Sequence, residues 1–376
     1  MPQKEESSLK ENLNKKIKEF SALYEVGKFI TSTLHLDEVL SLITKKAATI
    51  MNASACSLRL LDKSGHELLL NSSYGFANKR FQKIKKSLKV GESIAGRVVK
   101  NGRAYLINDL RKEKKYKYPY HAAQKGLRSL VTVPLVQKDK IIGVLSIYNT
   151  KVGKYTSEDV KLLAMFSSQA AIAIENARLF EQAQTGYLNT IRTLSNIIDA
   201  KDSQTFGHSE RVMRHCMSIT QALKFSEDQK EVLKYAGLLH DIGKIGIDVG
   251  ILRKPAKLTK DEWKLMAMHP LVGSGIVEQI GFLDDLAPII LHHHERYDGK
   301  GYPSKLKKEK IPLGARILSV VDAYESMVSD RPYRKALSSK KIRQELSEGA
   351  STQFDPNIVK IFLKILGKKK HKAQKA

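Results

Sequence analysis

Two histidine-bearing clusters carry the chemistry of this 376-residue chain. The first is the adjacent pair His240-Asp241 inside the run L-L-H-D-I-G-K-I-G; the second, His292-His293-His294-Glu295, follows about fifty residues later. Counting His293 and His294 from the triplet and adding His208, His269 and Asp322 gives seven nitrogen or oxygen ligands. One six-coordinate ion cannot use seven protein ligands and keep a place for substrate. Two ions offer about twelve positions; with Asp241 bridging, the protein fills about eight and leaves room for a water-derived nucleophile and two phosphate oxygens. The inventory points to a binuclear hydrolytic centre with two divalent ions. Imidazole and carboxylate without thiolate suit iron or manganese better than structural zinc, with zinc and other divalent ions as alternatives. Each ligand alone has a plainer reading, since His208 or His269 can be a hydrogen-bonded structural residue and Asp322 a cap. Their conjunction carries the argument.

The elements that must position these residues are helices. From Thr156 onward the pattern is almost wholly helical: Thr156 with Asp159, Ser226 with Gln229 and Thr259 with Glu262 have capping-box spacing, and Asp355-Pro356 puts proline at a first helical position. The first half instead reads as mixed strand and helix. Short apolar runs at 55–61, 67–73, 104–107, 130–136 and 141–148, parted by turn-like segments, predict an antiparallel sheet. The expected organisation is a polar segment 1–18, an α+β domain over 19–180, a connecting helix 157–199 overlapping both halves, an all-α bundle over 185–367 and a basic tail 368–376. In the connector, Ala177, Phe180, Gln184, Tyr187, Ile191, Leu194 and Ile198 alternate spacings of three and four, the pattern of a coiled-coil seam. That seam predicts a homodimer, the alternative being that the stripe packs on its own domains.

Composition excludes other classes. With 42% hydrophobic and 28% charged residues the chain is globular. Cys56 and Cys216 form no C-x-x-C pair, which argues against a disulfide scaffold, a zinc ribbon or a dithiol redox centre. No stretch has the roughly 18 uncharged apolar residues of a membrane span, and residues 1–21 lack the apolar core of a signal peptide, so a cytoplasmic protein is expected. The formal charge of +26 favours anionic partners, but the basic runs are lysine-dominated, without interleaved aromatics, and read as solvated faces rather than a nucleic-acid site.

Two resemblances follow from the quoted residues. About Glu19 to Phe180 resembles a GAF domain: a leading helix, the strand A-C-S-L-R-L-L-D, the segment V-G-E-S-I-A-G-R-V-V-K-N-G, then V-P-L-V and I-I-G-V-L-S-I-Y before a closing helix. The N-K-F-D-E-type constellation of cyclic-nucleotide-binding relatives is missing, His66 and His121 are isolated, and Cys56 sits in an alternating strand as a core residue, so the GAF ligand is left unassigned. The second half closely resembles the HD-GYP branch of the HD-domain phosphohydrolases. The signature H-H-E-x-x-D-G-x-G-Y-P stands complete at His293 to Pro303, with G-H-S-x-R-V at Gly207 to Val212, H-D-I-G-K at His240 to Lys244, M-x-x-H-P at Met266 to Pro270 and A-R-I-L-S-V-V-D-A-Y at Ala315 to Tyr324. Register with the signature selects His293 and His294 and sets His292 aside.

The resemblance implies a phosphodiesterase that opens cyclic di-GMP to the linear dinucleotide pGpG, with GMP as a further product, under the control of the GAF domain. Asp241 and Lys244 are then the catalytic candidates; on a helix Lys244 shares the face of His240 and Asp241 and can donate to a phosphate oxygen. Gly299, Gly301 and Pro303 shape a tight loop that puts Tyr302 at the mouth, its hydroxyl for phosphate and its ring for a base. Arg331 and Arg334, in R-P-Y-R, are weaker candidates for the second phosphate, with surface ion pairing as the alternative. Some trinuclear relatives carry Glu four residues before the residue matching His208; here Gln204 stands there, which favours two ions. The alternatives are a phosphohydrolase of another cyclic dinucleotide and a catalytically silent signalling or interaction protein.

Overall fold

The computed structural model describes residues 35–76, 87–114, 116, 126–202, 207–330 and 335–373. The segment 1–18, the start of the first domain at 19, His121, Gln204, Arg331, Arg334 and the end of the basic tail lie outside these residues. The chain divides into two compact units between Thr185 and Gly186.

In the first unit, six strands form one antiparallel sheet: β1 Ala55–Leu61, β2 Glu67–Tyr74, β3 Ser87–Lys89, β4 Tyr105–Ile107, β5 Ser129–Gln137 and β6 Lys140–Asn149, in the order β3-β2-β1-β6-β5-β4. Period-two alternation decides its faces. Cys56, Leu58 and Leu60 of β1 pack with Val133 and Leu145 against helix α1 (Leu36–Ile50) and against Leu163, Phe166, Ala170 and Ile174 of the long helix α3 (Ser157–Lys201). Cys56 is fully buried, and burial pushes its thiol above the usual range, as suits a core residue. On the opposite face Ser57, Arg59, Thr132, Ser146 and Tyr148 join Leu88, Ile94 and Leu130 around a small cavity of about 30 Å³ beside the start of α2 (Ile94–Asn101). The three-residue β3 is not among the expected strands.

The second unit is helical: α4 His208–Leu223, α5 Glu227–Leu239, α6 Val249–Leu252, α7 Lys260–Met266, α8 His269–Glu278, α9 Ala287–Leu291, α10 Leu313–Val328, α11 Ser339–Glu348 and α12 Pro356–Ala373. Helix starts follow local chemistry. Ser226 with Gln229 and Thr259 with Glu262 form reciprocal capping boxes, and the Asp355 carboxylate accepts from Asn357 N at 2.8 Å at the head of α12. Val212, Cys216 and Ile219 of α4, Leu233 and Ala236 of α5, Leu318 and Val321 of α10 and Phe362 of α12 share one core.

Two expectations need correction. The run L-L-H-D-I-G-K-I-G is not a continuous helix: α5 stops at Leu239, His240 caps it, and Ile242–Gly246 forms a 3-10 turn. A Cβ on Gly243 would collide with the carbonyl oxygen of His269, so this turn packs backbone on backbone against the start of α8. The seam read along the connector is also not one outward face. Ala177 belongs to the core of the first unit and Ile191 and Ile198 to that of the second, while Tyr187 and Leu194 are exposed. Periodicity identifies an apolar stripe but not whether a core or a partner covers it.

Candidate metal centre

The predicted ligands sit at element ends, where backbone turns can aim side chains inward. His208 is the first residue of α4 and His269 the first of α8; His240 and Asp241 stand between α5 and the 3-10 turn; His293 and His294 follow α9; Asp322 projects from the middle of α10. They converge into two sets whose ligand atoms lie within 4.8 Å of one another: His208 with His240 and Asp322, and His269 with His293 and His294. Asp241 stands between the sets, Oδ2 3.5 Å from His240 Nε2 and Oδ1 3.4 Å from His269 Nε2.

The chemistry of this donor set fits cations. His240, His269 and His293 direct Nδ1 at the carbonyl oxygens of Gly237, Met266 and Ile290, at 3.0, 2.8 and 2.6 Å. A carbonyl only accepts, so Nδ1 carries the hydrogen and Nε2 of the neutral ring presents its lone pair. The Nε2 atoms of His269 and His293 face each other at 3.4 Å, and His240 Nε2 is buried with no hydrogen-bond partner. Burial holds His269 and His293 below the usual imidazole range and, aided by His269, brings His294 down to about 3, so neutral rings are favoured. His208 goes the other way: burial lowers its pKa, but the hydrogen bond and charge of Asp322, 3.2 Å away, outweigh it.

Lys244 is held on the cavity side of this cluster. Its ammonium donates to Asp241 Oδ2 at 2.7 Å and to Asp202 Oδ2 at 3.0 Å. Burial would lower its pKa, yet the two carboxylates outweigh that and raise it. Asp241 is in turn held well below the carboxylate range: burial opposes ionisation, but Lys244 and the surrounding imidazoles prevail.

Tyr302 is positioned by glycine. Gly299 has φ 82°, and a Cβ on Gly301 would strike the backbone nitrogen of Arg296, so the turn lies directly on Glu295, whose Oε1 accepts from Ser304 N at 2.6 Å. The Tyr302 ring stacks on His294, centroids 5.0 Å apart at 27°. Both line a cavity of about 270 Å³ together with His208, Asp241, Lys244 and Asp322. His292 lies outside both ligand sets, its Nδ1 3.7 Å from Glu295 Oε1.

Sequence reasoning missed the fastening of this site to the end of α3. Lys201 Nζ donates to the carbonyl oxygens of Lys244, Ile245 and Ile247 at 3.2, 2.7 and 2.6 Å. Arg253 donates back to the carbonyl oxygens of Ala200 and Lys201, each at 3.1 Å, and Asp199 accepts from Ser209 Oγ at 2.8 Å. The available signal was the pair Lys201-Asp202, a cation and a carboxylate at a helix end shortly before His208.

Comparison with known proteins agrees with this division. Residues 33–175 match the family model described as GAF domain, and residues 192–358 match that described as HD domain. The chain is 35% identical over 210 residues to the cyclic di-GMP phosphodiesterase response regulator RpfG of Xanthomonas campestris pv. campestris, covering 55% of this chain and 54% of that protein. It is 34% identical over 188 residues to a cyclic di-GMP phosphodiesterase of Thermotoga maritima, covering 50% and 51%. It is 30% identical over 207 residues to the 3'3'-cGAMP-specific phosphodiesterase 2 of Vibrio cholerae, covering 54% and 40%. The chain thus spans about half or less of the length of these relatives. Among solved structures, the GAF domain of an Acinetobacter phosphoenolpyruvate-protein phosphotransferase is 21% identical at a TM-score of 0.38, covering 44% of this chain and 97% of that one.

Proposed function

This chain belongs to the proteins that join a GAF domain to an HD domain, and from that premise we propose that it is a metal-dependent phosphodiesterase of cyclic dinucleotides, opening cyclic di-GMP to pGpG. The observation that carries the reading is the pair of three-ligand sets with Asp241 between them. His208, His240 and Asp322 would hold one divalent ion, His269, His293 and His294 a second, and Asp241 would serve both; iron or manganese suits these donors. Such ions, when bound, supply Lewis acidity and positive charge for a phosphodiester under attack by water.

The chain's own residues do the rest. An ammonium has three N–H donors, and two of those on Lys244 are engaged by Asp202 and Asp241, so one remains for a nonbridging phosphate oxygen. The imidazole orientations are set by backbone carbonyls before substrate arrives, so little reorganisation is needed. Regulation by the GAF domain would enter through α3, whose last turn is bonded to the Lys244 turn by Lys201.

The test is direct. Anaerobically purified protein, its metal content measured, is incubated with cyclic di-GMP and the products are separated by chromatography; pGpG is expected, and intact substrate with fully loaded protein refutes the reading. The same assay with 3'3'-cGAMP decides the second reading, which rests on the Vibrio cholerae relatives named for that substrate.

The homodimer belongs to this proposal in a revised form. Met165, Ile172, Leu179, Leu194 and Ile197 of α3 are each at least 40% exposed. At 3.6 residues per turn they fall within about 40° of one line along the helix. A stripe of this length suits a two-stranded seam, and we propose a second copy of the chain as its cover. Light scattering is expected to show a dimer, and Leu179→Glu combined with Leu194→Glu a monomer. A monomeric wild type, or an unchanged dimer in the double variant, would contradict the seam.

A further inference from the structure

The cavity beside the ligand sets has a second, chemically different wall. Besides Lys244 and Asp241 it is lined by Ile251, Leu258, Met266 and Trp263. A phosphodiester and two metal ions have no use for an apolar and aromatic surface; a flat heterocycle does.

Trp263 is the only tryptophan of the chain and is 51% exposed, on a helix, α7, none of whose residues is buried. The helix is nevertheless fixed at its start. Glu262 closes the capping box with Thr259 and accepts from Lys254 Nζ through both oxygens at 2.7 Å, and Lys254 lines the same cavity. The indole meets the Tyr302 ring edge-on, centroids 5.9 Å apart at 78°, and Tyr302 stacks on the candidate ligand His294. An aromatic corner thus runs from the candidate ligand His294 through Tyr302 to the half-exposed Trp263.

We infer that Trp263 and Tyr302 form a nucleobase subsite, in which a purine of the substrate lies against the Trp263 face while its phosphodiester reaches Lys244. This inference rests on the proposed function, since both candidate dinucleotides are built of purines. Trp263 is a binding residue in this scheme: it contributes affinity and selects nucleotides over phosphodiesters without a base.

The single tryptophan supplies a readout independent of turnover. Titration of the full-length, metal-loaded protein with GMP is expected to quench tryptophan fluorescence, whereas ribose 5-phosphate, with the same sugar and phosphate but no base, leaves it unchanged. Calorimetric titration of Trp263→Ala should show GMP binding weakened about tenfold, with Trp263→Phe recovering much of it, because stacking needs a flat ring rather than the indole N–H. In turnover, Trp263→Ala should raise KM for the cyclic dinucleotide by a similar factor at nearly unchanged kcat. Absence of quenching by GMP, equal quenching by ribose 5-phosphate, or unaltered GMP affinity in a folded Trp263→Ala variant overturns the subsite. Failure of the proposed function is distinguishable, because intact dinucleotide with loaded wild-type protein is seen in an assay that involves no Trp263 variant.

Discussion

Replacing Asp241 with alanine is expected to reduce hydrolysis of cyclic di-GMP to background, a loss of at least about a thousandfold, and to lower the metal content below that of the wild type. Each Asp241 oxygen faces a different ligand set, 3.5 Å from His240 Nε2 and 3.4 Å from His269 Nε2. The substitution would therefore take a candidate ligand from both sets at once, and it removes one of the two carboxylates that hold Lys244. Metal analysis and turnover are measured on the same sample. Turnover surviving in Asp241→Ala with wild-type metal loading would remove the mechanism.

Lys244→Ala is expected to keep its metal and lose about ten- to hundredfold in turnover, the worth of one charge-assisted contact to a phosphate oxygen. The structure adds a stability consequence that differs between metal-free and loaded protein. In the wild type the ammonium lies 2.7 Å from Asp241 and 3.0 Å from Asp202, all three groups being largely buried. Without the ammonium the two buried carboxylates lose their shared cation, and removing one partner of a buried ion pair costs about 3–5 kcal/mol generally. Bound cations would offset much of that charge. Urea unfolding should therefore show metal-free Lys244→Ala clearly less stable than metal-free wild type, with the gap narrowing on loading. Loss of stoichiometric metal in this variant would make Lys244 a structural residue instead.

The legible parts of this chain were those in which chemistry is local. The capping boxes at Thr156, Ser226 and Thr259 and the proline after Asp355 placed helix starts correctly because their partners lie within three residues. Short runs of apolar residues at 55–61 and 130–136 found strands that the structure buries along most of their length. Less legible was the interruption after Leu239: every residue of L-L-H-D-I-G-K is compatible with a helix, and the close packing of Gly243 on the His269 carbonyl that accompanies the 3-10 turn joins residues 26 positions apart. The connector failed in the same way, since Ala177 and Ile191 look identical to Tyr187 and Leu194 until their neighbours are known.

By itself the sequence determined the inventory: which imidazoles and carboxylates are present, that no thiolate competes with them, and that the histidines are concentrated in a helical half behind a sheet-forming one. These follow from residue identity and short-range spacing. Tertiary structure alone decided how the inventory is partitioned and fastened. It sorted six candidate ligands into two sets with Asp241 between them and turned Nδ1 of His240, His269 and His293 onto carbonyls, which leaves Nε2 free of the hydrogen. It also set Asp202 and Lys201 against the Lys244 turn and brought Trp263 to the edge of Tyr302. The reason is physical: a ligand set is defined by distances of a few ångströms between residues up to 114 positions apart, from His208 to Asp322, and those distances are fixed by core packing rather than by any local preference of the chain.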